Sequence, residues 1–245
     1  MRILTTNKVL SGTLTYSSQL ERYQFLVAFN DTALSRWAKW SSNTNQWLQC
    51  SFSATENVYY SAILKANMSS SATIKLQCSS DNFATIAEEH AYTKYGEHWI
   101  ARFDTPLNYR YYRLAVTDTS VTYPRISKWY LGGYVQMPGA NEISPVRKSS
   151  AQSDKTDTGQ LYGYKRAILE TVTTTFDSVE EDEKSAIDEF FDSFDKVTPV
   201  VLLLYEDSLD TKPPLYANLD SDLEWKKNMS NGYTHQLTMK WEECK

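Results

Sequence analysis

Residues 108–134, NYRYYRLAVTDTSVTYPRISKWYLGGY, constrain the fold of this chain more than any other stretch. Tyr112, Leu114 and Val116 alternate with Arg113 and Ala115, the period of a strand with one apolar face. A polar, turn-rich segment follows. A second apolar run begins after Pro124, extends from Ile126 to Leu131 and stops at Gly132-Gly133. Two strands of this kind close a β-sandwich or jelly roll, and neither carries a catalytic motif.

Shorter runs elsewhere repeat the pattern. Ile74, Leu76 and Cys78 alternate with Thr73, Lys75 and Gln77, and a strand over residues 58–64 precedes them across a turn-like Asn67-Met-Ser-Ser-Ser. Trp99, Ala101 and Phe103 form another alternating run, which Asp104-Thr-Pro106 is expected to end. No amphipathic helix lies between these strands, so the spacing predicts a sandwich. The chain carries 17 Tyr and 7 Trp, residues that suit sheet faces, interfaces and sugar-binding surfaces.

Composition changes near Met137. Residues 137–158 are rich in Pro, Gly, Ser, Asp and Lys and read as a linker. The expected organisation is therefore a β-sandwich over residues 1–136, that linker, and a small domain over residues 159–245. In the small domain residues 161–176 read as a strand. Ser178-Val-Glu-Glu181 has capping-box spacing, and Ile187, Phe190, Phe191 and Phe194 form a helical stripe ending near Lys196. Residues 200–205 read as a buried strand. Residues 215–225 and 233–241 read as a hairpin across 226–232. The fold class is mainly β: a jelly-roll sandwich plus an α+β domain with one helix.

The bulk numbers exclude several functions. A net charge of −5 argues against a nucleic-acid-binding surface. No run approaches membrane-spanning length, and residues 1–12 lack the apolar core and cleavage site of a secretory signal. Cys50, Cys78 and Cys244 are odd in number and widely spaced, so they do not form a disulfide framework; folding in a reducing cytosol is expected. His90, His98 and His235 are scattered, without metal-ligand spacing. Phosphate-cradling and nucleophile-elbow motifs are absent, and no carboxylate pair sits in an aromatic setting. The expected catalytic set is empty and no cofactor is called for. Of the aromatic group around Trp37, Trp40 and Trp47, the first and last are expected in the core. Trp40, with Asn30 and Asp31, is the candidate surface for stacking on a sugar ring. Tyr95 and His98 form a second candidate loop patch.

Several of these residues carry a family likeness. They are Asn30-Asp31 followed by Trp37-Ala-Lys-Trp40, Trp47-Leu-Gln-Cys-Ser-Phe52, and Ile74-Lys-Leu-Gln-Cys-Ser-Ser-Asp-Asn-Phe83. The last is similar to a strand ending in a Ser-x-Asp-Gly-x-x-Trp turn. Phe103-Asp104, residues 109–114 and Ile126-x-x-Trp129-x-Leu131-Gly132 resemble the ending Phe-Asp…Ala-Arg-Tyr-Val-Arg-Leu…Ile-x-Glu-Leu-x-Leu-x-Gly. Together residues 29–134 resemble the discoidin, or factor 5/8 C-type, branch of the galactose-binding-like sandwiches. The resemblance implies binding of sugars, lipid headgroups or proteins through loops at one end, and allows a structural Ca²⁺ near Asp31.

The two-part layout also resembles tail-associated structural proteins of tailed bacteriophages. That likeness implies a tail-tip or baseplate virion protein, assembled in the host bacterial cytoplasm. Its partners would be other tail proteins, copies of itself in a symmetric ring and a host-surface glycan, with no nucleic acid and no membrane insertion. The alternatives are a carbohydrate-binding module without a virion role, and a glycan hydrolase.

Overall fold

The computed structural model describes every residue except 5–6, 31–33, 139, 141, 156–160, 193–197, 206–212, 221–222, 228–233 and 245, and only the backbone of 147–155, 161–169 and 224. Two compact bodies emerge: Arg2–Gln136 with Val200–Pro214, and Met137–Pro199 with Leu215–Lys245 and Met1. The elements begin with β1 (Arg2–Leu4), β2 (Thr13–Tyr16), α1 (Phe25–Asn30), β3 (Ala38–Lys39), β4 (Gln46–Ala66) and β5 (Thr73–Ser79). Then come β6 (Glu88–Ala91), β7 (Thr93–Tyr95), β8 (His98–Thr117), β9 (Arg125–Gly132) and β10 (Tyr134–Gln136). The remainder is β11 (Glu142–Lys155), β12 (Leu161–Val179), α2 (Glu181–Asp192), β13 (Val200–Leu203), β14 (Leu215–Leu219), β15 (Glu224–Lys227) and β16 (His235–Glu243).

The long strands β4 and β8 organise the first body. Residues 46–51 of β4 lie between β2 and the second half of β8, whose other side carries β5 and then β6. Residues 60–66 of β4 lie between β9 and the first half of β8, and β3 and β7 extend that layer. Each long strand thus serves both layers of an antiparallel jelly roll. The corner is where the β4–β8 register slips, between Ser51 and Glu56 and between Val58 and Tyr60. The run expected to end at Pro106 continues through it, because β8 bulges there and Pro106 needs no ladder hydrogen bond. Tyr112, buried, pins the corner: its hydroxyl lies 2.7 Å from Glu56 O and 2.9 Å from Leu107 O, and accepts from Tyr109 N at 3.0 Å.

Alternation directs the core. Ile74, Leu76 and Cys78 of β5, Leu48 and Cys50 of β4, and Tyr112, Leu114 and Val116 of β8 are all buried in one cluster with Trp99, Ile126, Trp129 and Leu131 of the other layer. Cys50 and Cys78 are free thiols; burial pushes both up to about 12, so they behave as small apolar groups. Gly12 crosses this core so closely that a Cβ would stand 2.3 Å from the Cys50 sulfur. The strand at Val200–Leu203, expected in the second domain, pairs instead with β1 of the first body, opposite β10.

In the second body the strand order is β14-β16-β12-β11, with β15 also on β16. The expected linker is largely strand. Residues 142–155 pair antiparallel with β12, an arrangement held by main-chain bonds that polar composition does not reveal. Beyond residue 171 toward the tip, β12 leaves β16, and residues 147–155 and 161–169 pair only with each other among the described residues. The expected cap moves by two residues. Val179 is buried, which prolongs β12 past Ser178, and Glu183 accepts instead from the Glu180 N–H at 3.0 Å. Ile187 of α2 is buried, and Phe191 lies 6.4 Å from the Trp241 ring. Phe194, Lys196 and most of the 226–232 connection lie outside the described residues. The expected 215–225 strand is two strands, β14 and β15.

Candidate functional site

The outer face of the β4–β8–β5 layer carries a cleft. Its outward residues meet in register: Trp47 opposite Ala115 and Ala115 opposite Lys75, then Gln49 opposite Arg113 and Arg113 opposite Gln77. Trp47, Lys75, Gln77, Arg113 and Ala115 line the cleft, of about 320 Å³, with Asn45, Thr73, Thr117 and Glu89. The Arg113 guanidinium carbon stands 4.8 Å from the Trp47 ring centre and 3.8 Å from that of Phe83. Its Nη2 donates to Gln49 Oε1 at 3.1 Å, while its buried Nε has no hydrogen-bond partner among the described residues.

Phe83 reaches the sheet because the turn after β5 is built to deliver it. Asn82 and Phe83 have φ of 58° and 64°, a left-handed pair that is rare for a bulky residue. Ser79 Oγ accepts from the Phe83 and Asp81 amides and donates to Asp81 Oδ1 at 2.6 Å. Asp81 also accepts from Thr85 N and Oγ1. These bonds, the Ser79 hydroxyl first, hold its carboxyl down at about 2. Asn82 Oδ1 accepts from Gln49 at 2.7 Å, so the turn is tied to the sheet it covers.

On the far wall Glu89 accepts from Gln77 at 2.8 Å and Lys75 at 2.5 Å. Those two contacts, Gln77 first, keep its carboxyl below the usual range, so it is an acceptor rather than a proton donor. The cleft's rim meets the end of the sandwich carrying loops 67–72 and 118–124. Buried Asp118 ties them, accepting from Ser69 N at 2.6 Å, Ser69 Oγ at 2.9 Å and Ser120 N at 3.0 Å.

Residues 13–130 match the F5/8 type C domain family. The match runs from β2 to β9 of the first body. No curated protein matches the chain. Three solved structures align with parts of it. One is the family 32 CBM from C. perfringens NanJ in complex with galactose, at 13% identity and TM-score 0.43, covering 55% of this chain and 99% of that one. Another is a Streptococcus pneumoniae fucose binding module, at 12% and 0.43, covering 52% and 95%. The third is a mutant of chitosan-binding module 1 from a Paenibacillus sp. IK-5 chitosanase/glucanase, at 19% and 0.42, covering 53% and 99%.

The fold of this segment rearranges the candidates read from sequence. Trp40 is not a surface residue: it is fully buried, 4.9 Å from the Phe25 ring, with its indole N–H on Trp47 O at 3.2 Å. Trp37 and Trp47, expected in the core, are half-buried and stack on arginines, Trp37 under Arg125 at 4.2 Å. Alternation along β4 could have found Trp47, since Leu48 and Cys50 point inward. The same alternation along β8 could have placed Arg113 outward, whereas Phe83 had no sequence signal, because only folding brings the 79–85 turn over β8. Asn30 is exposed at the end of α1, and Asp31 lies outside the described residues. Tyr95 and His98 face each other across a two-residue turn in which Gly96 has φ +61°. Tyr95 lines a separate cleft of about 240 Å³. His98 Nδ1 accepts from Lys65 N at 3.2 Å; burial, then the Lys65 charge, pushes the imidazole down to about 4.

The family likeness allows a Ca²⁺ near Asp31, the residue after α1. The Ala28 and Phe29 carbonyls, just before Asn30, already accept from the buried Lys128 Nζ. A carbonyl pair with a lysine cation on it does not fit a divalent metal. Among the described residues no group of three or more His, Cys, Asp or Glu is placed to hold an ion.

Proposed function

We propose that the F5/8 type C domain is a saccharide-contact module and that the cleft above Trp47 takes the sugar. The observation carrying this reading is the Trp47–Arg113–Phe83 stack set beside Gln77 and the ionised Glu89. An aromatic wall supplies apolar area to a sugar ring, and fixed donors and acceptors meet its hydroxyls. The cleft lining has Glu89 as its carboxylate, held ionised, whereas hydrolysis needs two carboxylates with one kept protonated. Binding is therefore the better reading than hydrolysis. Glycan-array screening followed by calorimetry tests it. The parent protein is expected to bind at least one glycan, and Trp47→Ala to abolish that binding while leaving the fold intact. A folded parent that binds no arrayed glycan refutes the reading.

A second reading concerns the whole chain. The paired residues 147–155 and 161–169 form a two-stranded ribbon at the end of the second body's strand order. An isolated ribbon is marginal in water, and its open edge pairs readily with another chain. This supports a structural virion protein of a bacteriophage tail tip or baseplate, assembled as a ring of identical subunits with other tail proteins as neighbours. Light scattering at micromolar concentration is expected to show a closed oligomer, lost when the ribbon is replaced by a short turn. A parent monomer that is also missing from purified particles refutes it.

A further inference from the structure

Lys128 lies within β9 and is 1% exposed. A lysine so buried needs acceptors, since its side chain is a cation with three donors. It donates to Ala28 O at 2.5 Å and Phe29 O at 3.2 Å. Both carbonyls belong to the last turn of α1, where a helix leaves C=O groups without intrahelical donors and carries partial negative charge. The chain passes directly from this turn to Asp31, the position at which the family likeness allows Ca²⁺. Calcium takes six to eight oxygens, backbone carbonyls among them. Here two such oxygens face an amine, and a second cation beside it would meet like charge in a poorly solvated place. The family's ending has a glutamate in the third place of Ile-x-Glu-Leu, where this chain has Lys128. The charge on β9 beneath α1 is thereby reversed.

We infer that Lys128 does the work of a structural metal: this F5/8 type C domain anchors the end of α1 with its own side chain and is independent of calcium. The inference stands apart from the saccharide reading, since neither Trp47 nor the cleft enters it. Melting of the full chain after EDTA treatment, compared with melting in millimolar CaCl₂ at matched ionic strength, tests the first half. The two melting points coincide, and titrating CaCl₂ into the EDTA-treated protein gives no saturable heat. A calcium-dependent rise in melting point or a saturable heat overturns the inference. Lys128→Met keeps side-chain length and removes both the charge and the donors. It lowers the melting point by at least about 4 °C, with or without calcium. An unchanged melting point overturns the anchoring role. Should that variant fail to fold, Lys128→Arg, which retains charge and donors, is expected to recover a cooperative melt, and its failure to do so also counts against the assignment.

Discussion

The inner and outer faces of the β4–β8–β5 layer are built from alternate residues of the same strands, yet they hold opposite chemistry. Inward, Cys50, Tyr112 and Cys78 stand in register and are fully buried. Outward, one residue along, Gln49, Arg113 and Gln77 stand in register; Arg113 donates to Gln49 and stacks on the Trp47 ring, and Gln77 donates to Glu89. The inner face has little freedom, because every side chain there contacts another layer at close-packed density. The outer face is held only by its own turn and hydrogen bonds. A strained backbone pair, Asn82-Phe83, is tolerated where it positions a side chain on the open face. The difference teaches that the scaffold and the contact surface of this body can be changed separately, although their residues interleave.

Mutations of two tryptophans seven positions apart put that separation to its hardest test. Trp40→Ala empties a fully buried site and is expected to cost about 3–5 kcal/mol in chemical denaturation. Trp47→Ala, half-exposed, is expected to cost less than about 2 kcal/mol while removing glycan binding. Equal losses of stability would break the distinction between the faces. A smaller effect sharpens it at the rim. His98 has an ordinary pKa of 6.5 and a folded value of about 4, so the unfolded chain binds the extra proton between those values. Its contribution is fully present above pH 6.5 and is lost as pH falls toward 4. Melting points should decline across that window, and His98→Gln should flatten the decline. A variant with the parent's slope would show that His98 is not buried as neutral imidazole.

The two bodies also differ in how far their sequences could be read. In the first, the alternating Ile74, Leu76 and Cys78 of β5 and Tyr112, Leu114 and Val116 of β8 enter one core, so pattern and burial coincide. In the second, β11 is a strand at the end of the order, and its main-chain pairing asks little of its side chains. Polar composition there reads as linker. The candidate site was legible only in fragments. Tyr95 and His98, expected as a loop patch, pair as strand residues of β7 and β8 and do not line the cleft, and Trp40 and Trp47 trade the expected places, because an indole's place in a layered sandwich depends on which layer closes over it.

By itself the sequence determined a mainly β chain with a jelly-roll body, since alternation and short motifs act within one strand or turn. Tertiary structure alone decided that β4 and β8 serve both layers and that Val200–Leu203 joins β1. It also brought Phe83 over Arg113 and Lys128 onto the end of α1. Each of these is a contact between residues far apart along the chain. Local periodicity carries no information about such pairs, because their energy comes from burial and hydrogen bonds that exist only once the layers have closed.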